Sequence, residues 1–306
     1  MRSSDNIIYV LGPRVRSGTN YLSNFLNVHP EISVIPLNNT RLEAPWLDKL
    51  DLFDTAWKNF DQLFSQRFFF RLSKKLEFND FCAYLSSAFL NYLKDSFEYD
   101  VNAKYLLLKN PSFVNLNMFF KAFPNGKLIL IVRDGRDNVV SSTRAYIRKS
   151  NSAITLTRIK KYINRWTFRE FILTTMYWSK SIDTLVSFLN SEEYRDHEKS
   201  VLVIRYEDLV NHPDVEAMKI FSFLNLRLSE EVLSKIEELK VVGSSFYGPD
   251  GNEHAMKPNW TVAVSKSNAF KPVGRWKNWS GLKKWLFKRI AGKQLISMGY
   301  EKDYKW

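Results

Sequence analysis

The residues best suited to chemistry come early in the chain. Gly12-Pro13-Arg14-Val15-Arg16-Ser17-Gly18-Thr19-Asn20 follows a β-branched-rich apolar run, Ile7 to Leu11. It precedes a segment in which Tyr21, Leu22, Phe25 and Leu26 recur at helical spacing. A strand, a glycine-bounded loop and a helix start make a cradle for an anion, because successive backbone N–H groups at a helix N-terminus converge on one negative group. Arg14 and Arg16 add positive charge to that cradle. The plain alternative is a Gly-Pro turn entering a helix.

The loop departs from the ATP-binding pattern, which places Lys-Ser/Thr directly after the second glycine. Here Thr19 follows Gly18 with no lysine between them, and five residues separate Gly12 from Gly18. A nucleotide kinase using magnesium-ATP is therefore disfavoured, although it would share the strand-loop-helix layout. The charge points the same way as the loop. The chain of 306 residues carries a net +13, and the excess is local: residues 133–170 hold +7 and residues 256–306 hold +10. Such a field suits a nucleotide, a polyanion or a membrane surface. A non-enzymatic polyanion binder is a third reading that rests on these segments alone. No RRM, zinc-finger or homeodomain signature is present, so nucleic acid is not the expected partner.

Other classes are excluded by what the chain lacks. His29, His197, His212 and His254 show no metal-ligand spacing, so no protein-held metal is expected. The single cysteine, Cys82, cannot form an internal disulfide and lies among apolar residues. Apolar runs reach five residues, short of a membrane span, and Arg2 and Asp5 before so short a run fail as a secretory signal. A cytoplasmic location is the expectation.

The elements that must position the loop follow from periodicity. Residues 46–98 read as helical, with Trp57, Phe60, Phe64 and Phe68 as a core stripe. Tyr105–Leu108 reads as a short strand ending at Lys109-Asn110-Pro111, 113–122 as a helix, and Pro124-Asn125-Gly126 as a turn. Lys127–Val132 is a second strong strand entering the charged turn Arg133-Asp134-Gly135-Arg136-Asp137, with helix resuming from Val139. Residues 155–190 are long and amphipathic, Val201–Tyr206 is a third buried strand, and Pro213–Leu224 and Ser229–Leu239 read as helices. Strands alternating with helices predict an α/β fold with a central parallel sheet. No repeat or linker divides residues 1–306, so one domain is expected, and no heptad sets an oligomeric state.

At Arg16-Ser17-Gly18-Thr19-Asn20-Tyr21 the chain resembles the 5′-phosphosulfate loop of the sulfotransferases, in which Lys or Arg precedes Ser-Gly-Thr-Thr. Ile131-Val132-Arg133-Asp134-Gly135-Arg136-Asp137-Asn138-Val139-Val140-Ser141 is similar to the family's strand-turn-helix segment. There an Arg and a Ser, here Arg133 and Ser141, bind the 3′-phosphate of 3′-phosphoadenosine-5′-phosphosulfate; an Arg at a strand end and a hydroxyl early in a helix can converge on one phosphate. Arg205-Tyr206-Glu207-Asp208-Leu209 resembles the Tyr-Glu-Asp-Leu segment beside the adenine, and Lys271-Pro272-Val273-Gly274-Arg275-Trp276-Lys277 resembles the late loop that closes over the nucleotide. Leu106-Leu107-Leu108-Lys109-Asn110-Pro111 is similar to the Lys-x-Pro segment of the tyrosylprotein branch. Asn20 stands where the family often has Thr, Tyr21 stands where cytosolic members have Trp, and the catalytic His of those members has no counterpart.

The resemblance implies a P-loop-like three-layer fold, with helical walls over the acceptor around 41–100 and 145–200. It implies a sulfonate donor, 3′-phosphoadenosine-5′-phosphosulfate, with 3′,5′-adenosine bisphosphate as product and no metal. The acceptor is then a hydroxyl, expected on a carbohydrate or related metabolite. Arg16 would stabilise charge on the phosphosulfate bridge while Arg14, Ser17, Gly18, Thr19, Asn20 and Tyr21 line the cradle. Arg133, Ser141, Tyr206, Lys271, Gly274, Arg275 and Trp276 would hold the nucleotide. Lys109 would neutralise the sulfonate oxygens. The acceptor proton needs a base: Glu43, ten or so residues beyond His29-Pro30-Glu31, is the first candidate and Glu31 the second.

Overall fold

The computed structural model describes residues 6–39, 42–67, 77–151, 160–239, 241–242, 263–264 and 272–306. The chain runs β1 (Ile7–Leu11), α1 (Thr19–Leu26), β2 (Ile32–Val34), α2 (Leu50–Arg67), α3 (Phe78–Ser96), β3 (Tyr105–Asn110), α4 (Phe119–Ala122) and β4 (Lys127–Val132). It continues α5 (Gly135–Asn151), α6 (Lys160–Leu189), α7 (Glu192–His197), β5 (Val201–Arg205), α8 (Tyr206–Asn211), α9 (Pro213–Phe223) and α10 (Glu230–Glu237). A two-residue antiparallel pair, β6 (Val241–Val242) with β7 (Ala263–Val264), precedes α11 (Gly281–Ser297).

The main sheet has five parallel strands in the order β2-β3-β1-β4-β5. β1 and residues 128–132 of β4 are uninterrupted apolar runs because both faces of the sheet are covered. The side-chain period of two divides β1 between two cores. Ile7, Tyr9 and Leu11 pack with residues of α3, α5, α6 and α11, whereas Ile8 and Val10 pack with residues of α1, α9 and α10. The result is three layers, with helices on both faces of the parallel sheet. After β1 the chain builds β2 and β3 on one side and then crosses to place β4 on the other. The loop after β1 and the turn after β4 therefore flank the crevice at the carboxyl edge where the order reverses, the usual ligand position in such sheets.

Several elements differ from the sequence reading. His29-Pro30-Glu31 is the turn expected, but it feeds a short strand, β2, that three residues at a sheet edge do not announce by periodicity. Among the described residues the stretch 46–98 holds a 3₁₀ turn, Leu47–Lys49, then α2 and α3; α3 starts afresh where the Glu77 amide donates to Asp80 (3.5 Å). The helix expected over 113–122 is a short 3₁₀ turn, Leu116–Met118, followed by α4, with Phe113 buried ahead of it. Tyr206 opens α8 rather than ending β5. Of the aromatic stripe, Trp57 and Phe60 meet Phe81 of α3 at 5.3 and 5.9 Å, and Phe60 stays partly exposed. Phe68 and the Phe64 side chain lie outside the described residues.

Candidate active site

The loop after β1 continues the sheet before it leaves it: the Gly12 amide donates to the Asn110 carbonyl at 3.3 Å. Ser17 is fully buried and stitches the loop shut. Its hydroxyl donates to the Arg14 carbonyl (2.6 Å) and accepts from Asn138 Nδ2 (3.2 Å), tying the loop to α5. Gly18 is the N-cap of α1 with φ 102° and no side-chain cap, so nothing from its own side chain covers the first amides of the helix. A Cβ on Gly18 would stand 2.3 Å from the Tyr206 ring, so glycine is required by both conformation and space.

Arg16 is the hinge of the cradle. It adopts φ 72°, a left-handed conformation unusual for a residue with a Cβ, and its carbonyl accepts from Arg133 Nη1 at 2.9 Å. Its side-chain Nε donates to Ser141 Oγ at 3.3 Å. The two motifs, 117 and 125 residues apart in those contacts, thus meet at one point. Arg133 is buried; it also donates to the Pro272 carbonyl (2.8 Å) and lies 4.4 Å over the Tyr206 ring. Tyr206 in turn packs edge-on against Tyr21 at 6.3 Å. Burial pushes the Tyr21 hydroxyl up to about 12.

A second group lies at the carboxyl end of β3. Lys109 is 3% exposed, and burial lowers its ammonium from 10.5 to about 8, partly offset by the Glu43 carboxylate 3.9 Å away. The Ala44 amide donates to the Lys109 carbonyl at 2.8 Å, and that backbone bond sets Glu43 opposite the ammonium.

Most of the residues singled out from sequence therefore converge: Arg16, Ser17, Gly18, Tyr21, Arg133, Ser141 and Tyr206 in one contact network, and Lys109 with Glu43 in a second. Gly274 and Trp276 join the first group through Asp137, whose carboxylate accepts both of their amides, at 2.6 and 3.3 Å. Thr19 and Asn20 open α1 behind Gly18, and Arg275 begins a 3₁₀ turn after Gly274. Arg14 is turned toward α6, donating to the Thr174 carbonyl (3.1 Å) beside the Tyr177 ring (5.7 Å). Lys271 lies outside the described residues.

Glu31 and His29 belong to the wrong edge of the sheet. The Tyr105 amide, at the start of β3, donates to the Glu31 carbonyl, and Ile32 pairs with Tyr105. Four residues of strand, roughly 13 Å at 3.3 Å per residue, separate that register from Lys109. His29 accepts from the Glu31 amide at Nδ1 (3.1 Å), contacts the Arg227 carbonyl through Nε2 (3.2 Å) and leans on Phe221. These contacts hold the turn into β2 and keep the Glu31 backbone at the amino end of the strands, away from Lys109. Sequence reasoning gave no role to Asp137, which lies within the 131–141 segment, or to Trp178, which carries no local signal. Trp178 is wholly buried against Gly135 and donates to the Arg133 carbonyl at 3.2 Å. Among the described residues no group of three His, Cys, Asp or Glu is arranged to hold a metal ion, and no helix is long and apolar enough to cross a membrane.

A five-stranded parallel sheet flanked by helices, with a glycine-capped helix start in the loop after β1, defines a P-loop-like three-layer α/β fold. The profile of the sulfotransferase family matches residues 8–230, and the chain belongs to that family. Among its relatives, protein-tyrosine sulfotransferase A of Caenorhabditis elegans is 26% identical over 230 residues, covering 73% of this chain and 51% of its own length. The chain thus spans about half of that relative. Protein-tyrosine sulfotransferase 1 of Danio rerio is 25% identical over 309 residues, 98% of this chain and 74% of its own. In fold, the sulfotransferase domain from the curacin biosynthetic pathway superposes with a TM-score of 0.51 at 19% identity, over 94% of this chain and 97% of that one. The residues present fit the donor: the buried Arg133 Nε has no hydrogen-bond partner, and the α1 start carries no side-chain cap.

Proposed function

We propose that the protein moves the sulfonate of 3′-phosphoadenosine-5′-phosphosulfate to a phenolic hydroxyl of tyrosine in a protein acceptor. The observation that carries the donor half is the meeting of Arg16 with both Arg133 and Ser141. The acceptor half is supported by the names of the relatives and by the Lys109-Glu43 pair at the carboxyl edge.

In this reading Arg16 and the amides at the start of α1 hold the phosphosulfate end, where charge builds as the bond from sulfur to the bridging oxygen breaks. Arg133, Ser141 and the segment from Pro272 hold the 3′-phosphate. Lys109 neutralises the sulfonate oxygens as the acceptor oxygen bonds to sulfur. Glu43 takes the hydroxyl proton, and its half-exposed carboxylate returns that proton to solvent. Catalysis is then positioning plus fixed positive charge, as in phosphoryl transfer.

Two measurements test this. The adenosine 3′,5′-bisphosphate product is expected to raise the melting temperature without magnesium; stabilisation by magnesium-ATP alone would overturn the donor assignment. Sulfonate label from the donor is expected in a tyrosine-containing peptide and to be lost in its phenylalanine counterpart. Label entering only a carbohydrate, the acceptor expected from the sequence, would replace tyrosine with a sugar hydroxyl.

A further inference from the structure

The first turn of α5 holds two buried residues that the transfer chemistry leaves without a task, Arg136 and Asp137, 3% and 1% exposed. Arg136 donates through Nε to both Asp134 carboxylate oxygens (3.0 and 3.1 Å) and through Nη2 to Oδ2 (2.7 Å). Its Nη1 pairs with Glu301, beyond α11. Its guanidinium carbon lies 3.7 Å from the Trp276 ring and 4.6 Å from the Trp306 ring, and the two indoles meet edge-on at 5.5 Å. A guanidinium out of water is costly unless its donors and faces are occupied; here carboxylates occupy the donors and indoles the faces. Three separate segments contribute: the turn itself, the stretch from 272 to 278, and the stretch from 298 to 306.

The same three segments are joined at further points. Asp137 holds the Gly274 and Trp276 amides, and Arg133 holds the Pro272 carbonyl. The Tyr300 hydroxyl donates to Glu207 (3.0 Å), which accepts the Asp134 amide (3.0 Å), and Arg205 donates to the Met298 carbonyl (2.6 Å). Movement of 272–278 would therefore disturb an anchor of Arg133 directly.

We propose that Arg136 is a positioning residue that latches the 272–278 segment to the 298–306 segment, and that this latch sets how tightly the nucleotide end of the donor is held and how fast the product leaves. The proposal rests on the donor assignment above. It requires no contact between Arg136, Glu301 or Trp306 and the donor.

The test compares Arg136→Lys, Trp306→Ala and Trp306→Phe with the unaltered chain. The readouts are stopped-flow release of adenosine 3′,5′-bisphosphate and the donor KM and kcat of transfer. Arg136→Lys and Trp306→Ala are expected to raise the product Kd and donor KM roughly tenfold, the scale of a partly desolvated cation–π contact. The change should come mainly from faster release, with kcat unchanged or higher. Trp306→Phe, which keeps a ring, is expected to recover most of the affinity. Should Arg136→Lys fail to fold, the half-buried Trp306 pair carries the comparison. Product release within twofold of the unaltered chain in Trp306→Ala overturns the latch, as does a fall in kcat with KM unchanged. Failure of the unaltered chain to bind the bisphosphate would instead overturn the donor assignment.

Discussion

Lys109→Met separates what the fold tolerates from what the reaction needs. Lys109 sits in β3 opposite Val10 of β1, 3% exposed, and burial holds its ammonium at about 8 instead of 10.5 even with Glu43 at 3.9 Å. At about 1.4 kcal/mol for each tenfold change in proton affinity, that depression amounts to roughly 3 kcal/mol of strain on the folded state at neutral pH. Methionine is similar in length and carries no charge, so the variant is expected to gain about 1–3 kcal/mol, a rise of a few degrees in Tm. The sign with pH follows from proton binding. The folded chain releases the proton near pH 8 and the unfolded chain keeps it to about 10.5, so between those values the unfolded state binds more protons and wild-type stability rises. Thermal melts from pH 7 to 10 should show the variant's advantage fully present below pH 8 and shrinking above it. Transfer should fall about 10²-fold, the usual loss for one fixed charge at a developing anion, and wild-type transfer should decline as pH passes 8. A variant that melts below wild type at pH 7, or an advantage that does not change between pH 8 and 10, would refute the reasoning.

Two other perturbations address the cradle and its support. Gly18→Ala places a Cβ 2.3 Å from the Tyr206 ring at φ 102°; it should cost about 1–3 kcal/mol and weaken bisphosphate binding at least about tenfold, read by melts and calorimetric titration, and wild-type binding would contradict the geometry. Trp178→Ala empties a fully buried site under Arg133; urea unfolding should show a loss of about 3–5 kcal/mol, and a loss under 1 kcal/mol would mean that the indole does not support the turn.

How far the sequence could be read depended on whether the information was local. β1, its loop and α1 are contiguous, and an anion cradle is made by adjacent amides, so residue order alone revealed it. β4 was legible as an apolar run entering a charged turn, but Arg133 and Ser141 were picked out by the resemblance to the sulfotransferases. β2 was missed because three residues at a sheet edge carry too little alternation to register, and the α2-α3 break was missed because apolar residues continue at helical spacing through both helices. Among the candidate bases, the resemblance put Glu43 first, and Glu31, at the helix-end turn, second.

The sequence by itself determined the parallel α/β class and marked the loop after β1 as a candidate anion cradle, since these follow from periodicity and from neighbours along the chain; Arg133 and Ser141 were marked by the resemblance to the sulfotransferases. Only the tertiary structure decided which side chains share the reacting edge. Parallel register sends Glu31 and His29 to the amino end of the strands and Lys109 to the carboxyl end. One backbone bond from Ala44 brings Glu43 to Lys109, and packing through Trp178, Asp137 and the Arg136 socket fixes the turn that holds Arg133. Such contacts join residues by strand register and interlocking volume, and neither leaves a mark in local composition or spacing.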